Sequence, residues 1–192
     1  MTSCKQARSL WFPVAGLIFI TSTALAAEQD PVPAPHERSS TSTQTCDFWD
    51  LSRLDLNVYG LSYHPDRNAV HRKNLDNQVN PGLALHYSLT DSARGTSFVE
   101  GGAYLDSGRN WAKFAGLGYQ YKVGERWKIG GAVAVANSPT YNRGATFVGM
   151  IPLITYDLGL IKLNAVYFPK IGNYNQVDAF GFYVSLPFGA WR

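Results

Sequence analysis

Apolar and polar side chains alternate along most of the chain after residue 53, and this period of two limits the fold more than any other feature. Such alternation is typical of strands whose two faces meet different surroundings. The last segment has Phe180, Phe182, Val184, Leu186 and Phe188 at one parity and Gly181, Tyr183 and Ser185 at the other. The inner parity of other segments carries His86, Lys128 and Lys162, which suit a polar barrel lumen better than a dry core. The pattern therefore predicts an all-β protein whose sheet closes into a barrel.

Eight segments carry this alternation. They lie near residues 54–64, 82–89, 96–106, 110–122, 126–136, 145–156, 159–168 and 177–188. Their lengths fit tilted membrane strands, and beyond the first 26 residues there is no apolar run long enough for a membrane helix. A chain of this kind that stays in a membrane must do so as a closed barrel, because lipid offers the backbone no hydrogen-bond partners. We therefore predict an eight-stranded antiparallel transmembrane β-barrel of the outer membrane, with a soluble periplasmic β protein as the alternative. Eight strands leave little lumen, so no pore is expected.

The first 26 residues have the form of a secretory signal peptide. Lys5 and Arg8 precede an apolar core at residues 10–20, and Ala24-Leu25-Ala26 resembles a cleavage site. Residues 27–53 then form a polar leader that ends in a short interfacial segment. We expect the barrel at 54–188 and a C-terminal tail at 189–192.

Charge and cysteine content exclude several classes of function. Without Lys5 and Arg8 the 17 basic residues fall to 15, against 14 acidic residues, so nucleic acid is not an expected partner. Cys4 leaves with the signal peptide, and Cys46 is then an incidental thiol or an intermolecular link. No His, Asp or Glu cluster has metal-ligand spacing, so no metal and no other cofactor is expected.

The connections between segments differ in length, and this places polar residues together. Short turns follow residues 91, 123 and 157, whereas longer connections occupy 64–81, 137–144 and 169–176. Outer-membrane barrels keep long loops outside, which would bring His64, Asp106, Ser107 and Tyr141 to one outer rim. From spacing alone, two interpretations remain open: a catalytic site, or a common Asp-Ser-Gly turn beside a surface histidine.

Four groups of residues resemble the outer-membrane lipid A palmitoyltransferase (PagP) family over approximately residues 54–188. The strongest is the run Tyr104-Leu105-Asp106-Ser107, Asn110-Trp111 and Ala115-Gly116-Leu117-Gly118-Tyr119. The others are Tyr63-His64, Ile151-Pro152-Leu153 with Pro169 seventeen positions after Pro152, and Tyr167-Phe168-Pro169 leading into Gly172-Asn173-Tyr174-Asn175. The chain departs from the family at its N-terminus, where the polar leader stands in place of a substantial amphipathic helix.

The resemblance implies an enzyme that moves a palmitoyl chain from the sn-1 position of a phospholipid to lipid A, without a cofactor. It implies residence in the bacterial outer membrane with the active site facing the exterior, and a contribution to antimicrobial peptide resistance. Phosphatidylglycerol is a second candidate acceptor, because it also presents a hydroxyl group beneath an anionic group. We expect a monomer or a homodimer.

The same resemblance assigns roles to six residues. His64 is the expected base, Asp106 its orienting or charge-stabilising partner, and Ser107 a hydroxyl group at the reacting centre. Gly118 corresponds to the floor of the acyl pocket, and Pro152 and Pro169 correspond to a lateral gate for lipid. Two rival functions remain: an outer-membrane lipid hydrolase, and a non-enzymatic small barrel that binds hydrophobic molecules.

Overall fold

A computed structural model of the chain describes residues 50–172 and 174–191. Its strands are β1 (Leu54–Tyr63), β2 (Val79–Asp91), β3 (Gly95–Leu105), β4 (Trp111–Val123), β5 (Trp127–Asn137), β6 (Phe147–Asp157), β7 (Lys162–Phe168) and β8 (Ala179–Pro187). Each strand pairs antiparallel with the next, and β8 pairs with β1 to close the barrel. The predicted eight-stranded antiparallel barrel is thereby confirmed. The predicted signal peptide, Cys46 and the leader through residue 49 lie outside the described residues.

Within the described residues, helical structure is confined to short pieces between or beside the strands. These are 3-10 helices at Leu51–Arg53, Asn142–Gly144 and Phe188–Trp191, and one α-helix, α1, at Arg67–Arg72. Across residues 50–172 and 174–191, no helix has the length and apolar character needed to cross a membrane.

Strand β2 begins three residues earlier than the alternation predicted, so it includes Pro81. The register between β1 and β2 shifts between Tyr59 and Leu61, opposite this part of β2. A proline is tolerated where the ladder is irregular, because its missing N–H group then removes no regular hydrogen bond.

The long connection after β1 contains α1, which the sequence analysis treated as loop. Asp66 caps this helix by accepting a hydrogen bond from the backbone N–H of Ala69 at 2.9 Å. Ala69 and Val70 pack with Leu75 and with Val177 of the β7–β8 connection. A six-residue helix spans too few turns to produce a helical period of apolar residues in the sequence. In the structure, this small apolar cluster holds α1 over the rim.

Short and long connections lie at opposite ends of the barrel. Gly124 and Gly159 stand in two of the short turns with φ of +85° and +89°, a conformation that glycine adopts without steric cost. The long connections and the turn between β3 and β4 lie at the other end, together with His64 and Ser107.

Side-chain direction follows the predicted alternation. Outward positions are apolar and exposed, such as Leu117 at 64% and Met150 at 71%. Inward positions include Asp55 and Asn164, at 4% and 7%.

The inward side chains divide the lumen into two halves. Toward the short turns, a polar layer consists of Asp55, Gln120, Thr155, Lys162, Asn164 and Ser185. Lys162 pairs with Asp55, and side-chain hydrogen bonds of 2.6 to 2.8 Å connect the other four residues. Above it, an apolar floor consists of Phe98, Leu153, Val166 and Tyr183, all at most 8% exposed. This floor separates the polar layer from the outer half of the lumen.

Candidate functional site

A cavity of about 370 Å³ occupies the outer half of the lumen, above the apolar floor. Small residues on β4 and β5 leave this space open, namely Ala112, Gly116, Ala132, Ala134 and Ala136. Aromatic rings form another part of the wall, where Tyr59 stacks between Tyr104 and Tyr183 with ring centroids 5.5 and 4.6 Å away. A deep apolar cavity of this size fits a hydrocarbon chain or a molecule of similar shape.

The turn between β3 and β4, at the outer rim of the barrel, is built around the carboxylate of Asp106. Its Oδ1 accepts hydrogen bonds from the backbone N–H groups of Gly108 and Asn110, each at 2.9 Å. Its Oδ2 accepts a hydrogen bond from the hydroxyl group of Ser138, at the end of β5. Asp106 is fully buried, so these three donors stabilise a charge that water does not reach. The carboxylate thus fixes the turn that carries Ser107.

Ser107 lies beside His64, with 2.9 Å between the serine Oγ and the imidazole Nε2. The other ring nitrogen of His64, Nδ1, lies 3.2 Å from the backbone carbonyl of Asp178. A carbonyl oxygen can only accept a hydrogen bond, so Nδ1 carries the proton of the neutral ring. Nε2 is then free to accept the serine hydroxyl proton, which is the arrangement of a general base beside a nucleophile.

Asp178 is itself held in place directly before β8. Its Oδ1 accepts hydrogen bonds from the hydroxyl group of Tyr167 at 2.7 Å and from the backbone N–H of Lys170 at 2.8 Å. These contacts position the carbonyl that orients the imidazole of His64.

The surroundings of His64 favour its neutral form. The residue is 1% exposed, and this burial lowers its pKa. The hydrogen bond to Asp178 opposes that effect, while the positive charge of Arg67 adds to it. A neutral imidazole is the form that can act as a base.

Tyr141 connects the Ser107–His64 pair to the cavity. Burial raises the pKa of its phenol well above the ordinary value, although hydrogen bonds to the hydroxyl group and backbone of Ser107 act in the opposite direction. Tyr141 and Ser138 both line the cavity, and they contact Ser107 and Asp106 respectively. Ser107 is 5% exposed and does not itself line the cavity, so Tyr141 and Ser138 are the residues that connect the rim site to it.

The predicted site residues His64, Asp106 and Ser107 come together at this rim, with contacts that differ in one respect from the expectation. The resemblance suggested Asp106 as the orienting or charge-stabilising partner of His64, but Nδ1 of His64 donates its hydrogen bond to the carbonyl of Asp178. Asp106 organises the turn instead. Asp178 and Ser138 escaped the sequence analysis, and only their positions at strand ends on the same rim could have indicated them.

Gly118 lies beneath the side chain of Phe98. The two residues are register partners across β3 and β4, and Phe98 lines the cavity. A Cβ atom placed on Gly118 would stand 2.8 Å from Cε1 of Phe98, so the ring already occupies the space above the glycine.

Pro152 and Pro169 flank a gap in the barrel wall. The β6–β7 ladder runs from Leu153–Val166 to Asp157–Lys162. Beyond it, within the described part of the chain, residues 147–152 pair with β5 alone, and β7 ends at Phe168, directly before Pro169. Neither proline has an N–H group for the ladder.

The cavity reaches this gap and opens toward the outer surface. Val148 and Met150 belong to the outward face of β6, at 66% and 71% exposure, and yet both line the cavity. Phe168 and Pro169 line it from the other side. The gap is therefore a lateral opening about six residues long on its β6 side.

Among the residues that the structure describes, no group of three or more His, Cys, Asp or Glu side chains is arranged to hold a metal ion. In comparisons with known proteins, the chain matches no protein-family model and no curated protein.

Proposed function

We propose that the protein is an acyltransferase of the bacterial outer membrane that takes an acyl chain from the sn-1 position of a phospholipid. The proposed acceptor is lipid A or phosphatidylglycerol in the outer leaflet. The observation that carries the proposal is the Ser107–His64 hydrogen bond at the rim, which Tyr141 connects to an apolar cavity with a lateral opening. The residues that resemble the lipid A palmitoyltransferase family include both of these side chains, and we propose membership of that family.

The apolar outer surface supports a location in the bilayer. Exposed Leu, Val, Ile and Phe side chains cover the outward faces of the strands, and a surface of this kind is unfavourable in water. With the long connections outside, as in other outer-membrane barrels, the site faces the exterior and meets lipids of the outer leaflet.

The cavity and its opening give the acyl donor a route. A phospholipid lying in the leaflet would insert its sn-1 chain between β6 and β7, while its polar headgroup stays at the rim. The ester carbonyl, to which the acyl chain is attached, would then lie at the outer end of the cavity, beside Tyr141 and its hydrogen-bond partner Ser107. No soluble carrier or cofactor is needed for this step.

The Ser107–His64 geometry supports transfer in two steps. The hydroxyl group of Ser107 gives its proton to Nε2 of His64 and attacks the ester carbon. The lysophospholipid leaves with that proton on its sn-1 oxygen, and the acyl chain is esterified to Ser107. In the second step His64 takes the proton of the acceptor hydroxyl group, whose oxygen attacks the acyl-serine ester, and Ser107 regains its proton. Atoms and charges balance, and no other reactant is consumed.

Mass spectrometry of lipids tests this proposal in a bacterial host that lacks such an enzyme. Cells expressing the native protein should gain an acyl chain on lipid A or phosphatidylglycerol, together with lysophospholipid. The variants Ser107→Ala and His64→Ala should lose the gain. Ser62→Ala is a matched control at the same end, since its hydroxyl group reaches only the carbonyl of Asn77, at 3.5 Å.

Other outcomes would identify the rival functions. Lysophospholipid and free fatty acid without an acylated acceptor would indicate a hydrolase, with water as the acceptor. Unchanged lipids would contradict the proposal and favour a barrel that only binds hydrophobic molecules.

A further inference from the structure

We infer that the hydroxyl group of Tyr141 is a catalytic hydrogen-bond donor, which stabilises the negative charge that forms on the ester carbonyl oxygen during acyl transfer. The inference rests on the proposed function for its reaction, and it adds a third side chain to the Ser107–His64 pair. Attack by a serine moves charge onto that carbonyl oxygen. Donors fixed beside this oxygen usually make the largest single contribution to such a reaction.

The backbone of the turn that carries Ser107 does not offer a free donor. Many acyl-transfer enzymes use backbone N–H groups beside the nucleophile for this purpose. Here the N–H groups of Gly108 and Asn110 each donate to Oδ1 of Asp106 at 2.9 Å. The N–H of Arg109 donates to the backbone carbonyl of Asp106 at 3.0 Å. Because these three groups are already bonded, a side chain has to supply the donor.

The phenol of Tyr141 contacts both the backbone and the side chain of Ser107. Burial raises the pKa of this phenol, whereas the backbone contact lowers it. A hydrogen bond that stabilises the phenolate is one that the phenol oxygen accepts, so the N–H of Ser107 is the donor in that contact. A phenol oxygen that accepts a hydrogen bond still has its own hydrogen to donate. Tyr141 therefore places an O–H donor beside the attacking oxygen.

Tyr141 is held in this position by contacts between the β5–β6 connection and the turn between β3 and β4. The hydroxyl group of Ser138 donates to the carboxylate of Asp106. Nδ2 of Asn110 donates to Oγ1 of Thr140 at 3.0 Å, and the backbone N–H of Thr140 donates to Oγ of Ser138, also at 3.0 Å. A donor fixed in advance needs no rearrangement when the charge develops.

The cavity brings the ester to this donor. Tyr141 lines the cavity and Ser107 does not, so an ester carbonyl at the outer end of the cavity meets the phenol. When Oγ of Ser107 attacks, its proton passes to Nε2 of His64 and the carbonyl double bond opens. The carbonyl oxygen and Oγ are then bonded to the same carbon, so a donor that touches Oγ can reach both oxygens. Tyr141 keeps its own proton throughout, because burial raises its pKa.

The rate at which an alkyl fluorophosphonate labels Ser107 tests this role without reference to lipid transfer. Oγ attacks the phosphorus, fluoride leaves, the proton passes to His64, and the phosphoryl oxygen takes the place of the ester carbonyl oxygen. In the full chain, Tyr141→Phe should slow labelling by about 10²- to 10³-fold. Tyr63→Phe is the matched control, since its ring is 53% exposed at the end of β1, and it should label like the native protein. Equal rates for the native protein and Tyr141→Phe would overturn the inference.

Steady-state acyl transfer provides the second measurement. For Tyr141→Phe, kcat should fall by a similar factor with an unchanged KM, because the donor acts on charge that is present only in the transition state. The apparent pKa of the pH-rate profile should stay at the value set by His64. A shift of that pKa would show that Tyr141 acts through His64 and would refute a direct role.

The two measurements separate this inference from the proposed function. Slower labelling of Tyr141→Phe, with no acylated lipid from any variant, would support the role of Tyr141 and contradict the acyltransferase. A native protein that does not label at Ser107 would contradict both. If heat-modifiable migration in gels shows that Tyr141→Phe does not fold, Tyr141→Gln and Tyr141→Leu take its place. The glutamine variant keeps an N–H donor and should label faster than the leucine variant, and equal rates would refute the inference.

Discussion

Replacing Ser138 with alanine tests whether the buried carboxylate of Asp106 holds the rim together. The substitution removes the hydroxyl donor to Asp106 and the acceptor for the backbone N–H of Thr140, at 3.0 Å. A hydrogen bond to a charged group contributes about 1.5 to 3 kcal/mol, and a neutral one contributes about 1 kcal/mol. Since Ser138 and Asp106 are both at most 1% exposed, water cannot replace the lost donor. We therefore expect the free energy of unfolding to fall by about 2 to 4 kcal/mol.

The measurement is equilibrium urea unfolding of the full chain in phospholipid vesicles. Ser92→Ala is the matched control, because Ser92 also makes two hydrogen bonds, both to the backbone of Gly95 in a short turn at the opposite end. That change should reduce stability by about 1 kcal/mol or less. Acyl transfer by Ser138→Ala should also drop by about a hundredfold, since Ser107 would lose its fixed position. Equal losses of stability in the two variants would refute the role given to the Asp106 charge.

Three further predictions concern His64 and the barrel wall. Burial lowers the pKa of His64, so activity should rise with pH through an apparent pKa below the ordinary 6.5, as a pH-rate profile would show. Because the pKa of His64 is lower in the folded protein than in the unfolded chain, the unfolded chain takes up the His64 proton first as the pH falls. The free energy of unfolding should therefore decrease below pH 6.5 in the native protein and change less in His64→Ala. Gly118→Ala should destabilise the barrel by about 1 to 3 kcal/mol in urea unfolding, because its Cβ would lie 2.6 Å from the carbonyl oxygen of Gly131. Gly60→Ala, where nothing lies within 4 Å, should change stability by less than about 0.5 kcal/mol, and similar losses for the two glycines would contradict the packing argument.

The barrel could be predicted from the sequence because its cause is local. Each strand repeats an alternation imposed by two different surroundings, and positions such as Lys162 and Asn164 already identify the inner face. The missed elements lack such a signal. Helix α1 is too short to show a period, and the early start of β2 lies opposite a register shift in the neighbouring strand.

The site could be predicted only in part, because its contacts join distant segments. The resemblance indicated His64 and Ser107, which meet at 2.9 Å although they lie 43 positions apart. The backbone carbonyl of Asp178 carries no trace in the sequence, since every residue has a carbonyl group. Gly118 suggested a deep pocket, but whether a glycine leaves space open depends on the residue opposite it. That residue is Phe98, and only the strand register of the structure identifies it.

The closed inner end of the lumen also has a kinetic consequence. The apolar floor and the polar layer leave the cavity with openings only on its outer half, so an incoming chain and a departing chain must use the same space. On the proposed function, an acyl chain held in this cavity of about 370 Å³ would block the entry of a second chain. The acylated product of the proposed reaction should therefore act as a competitive inhibitor toward the acyl donor.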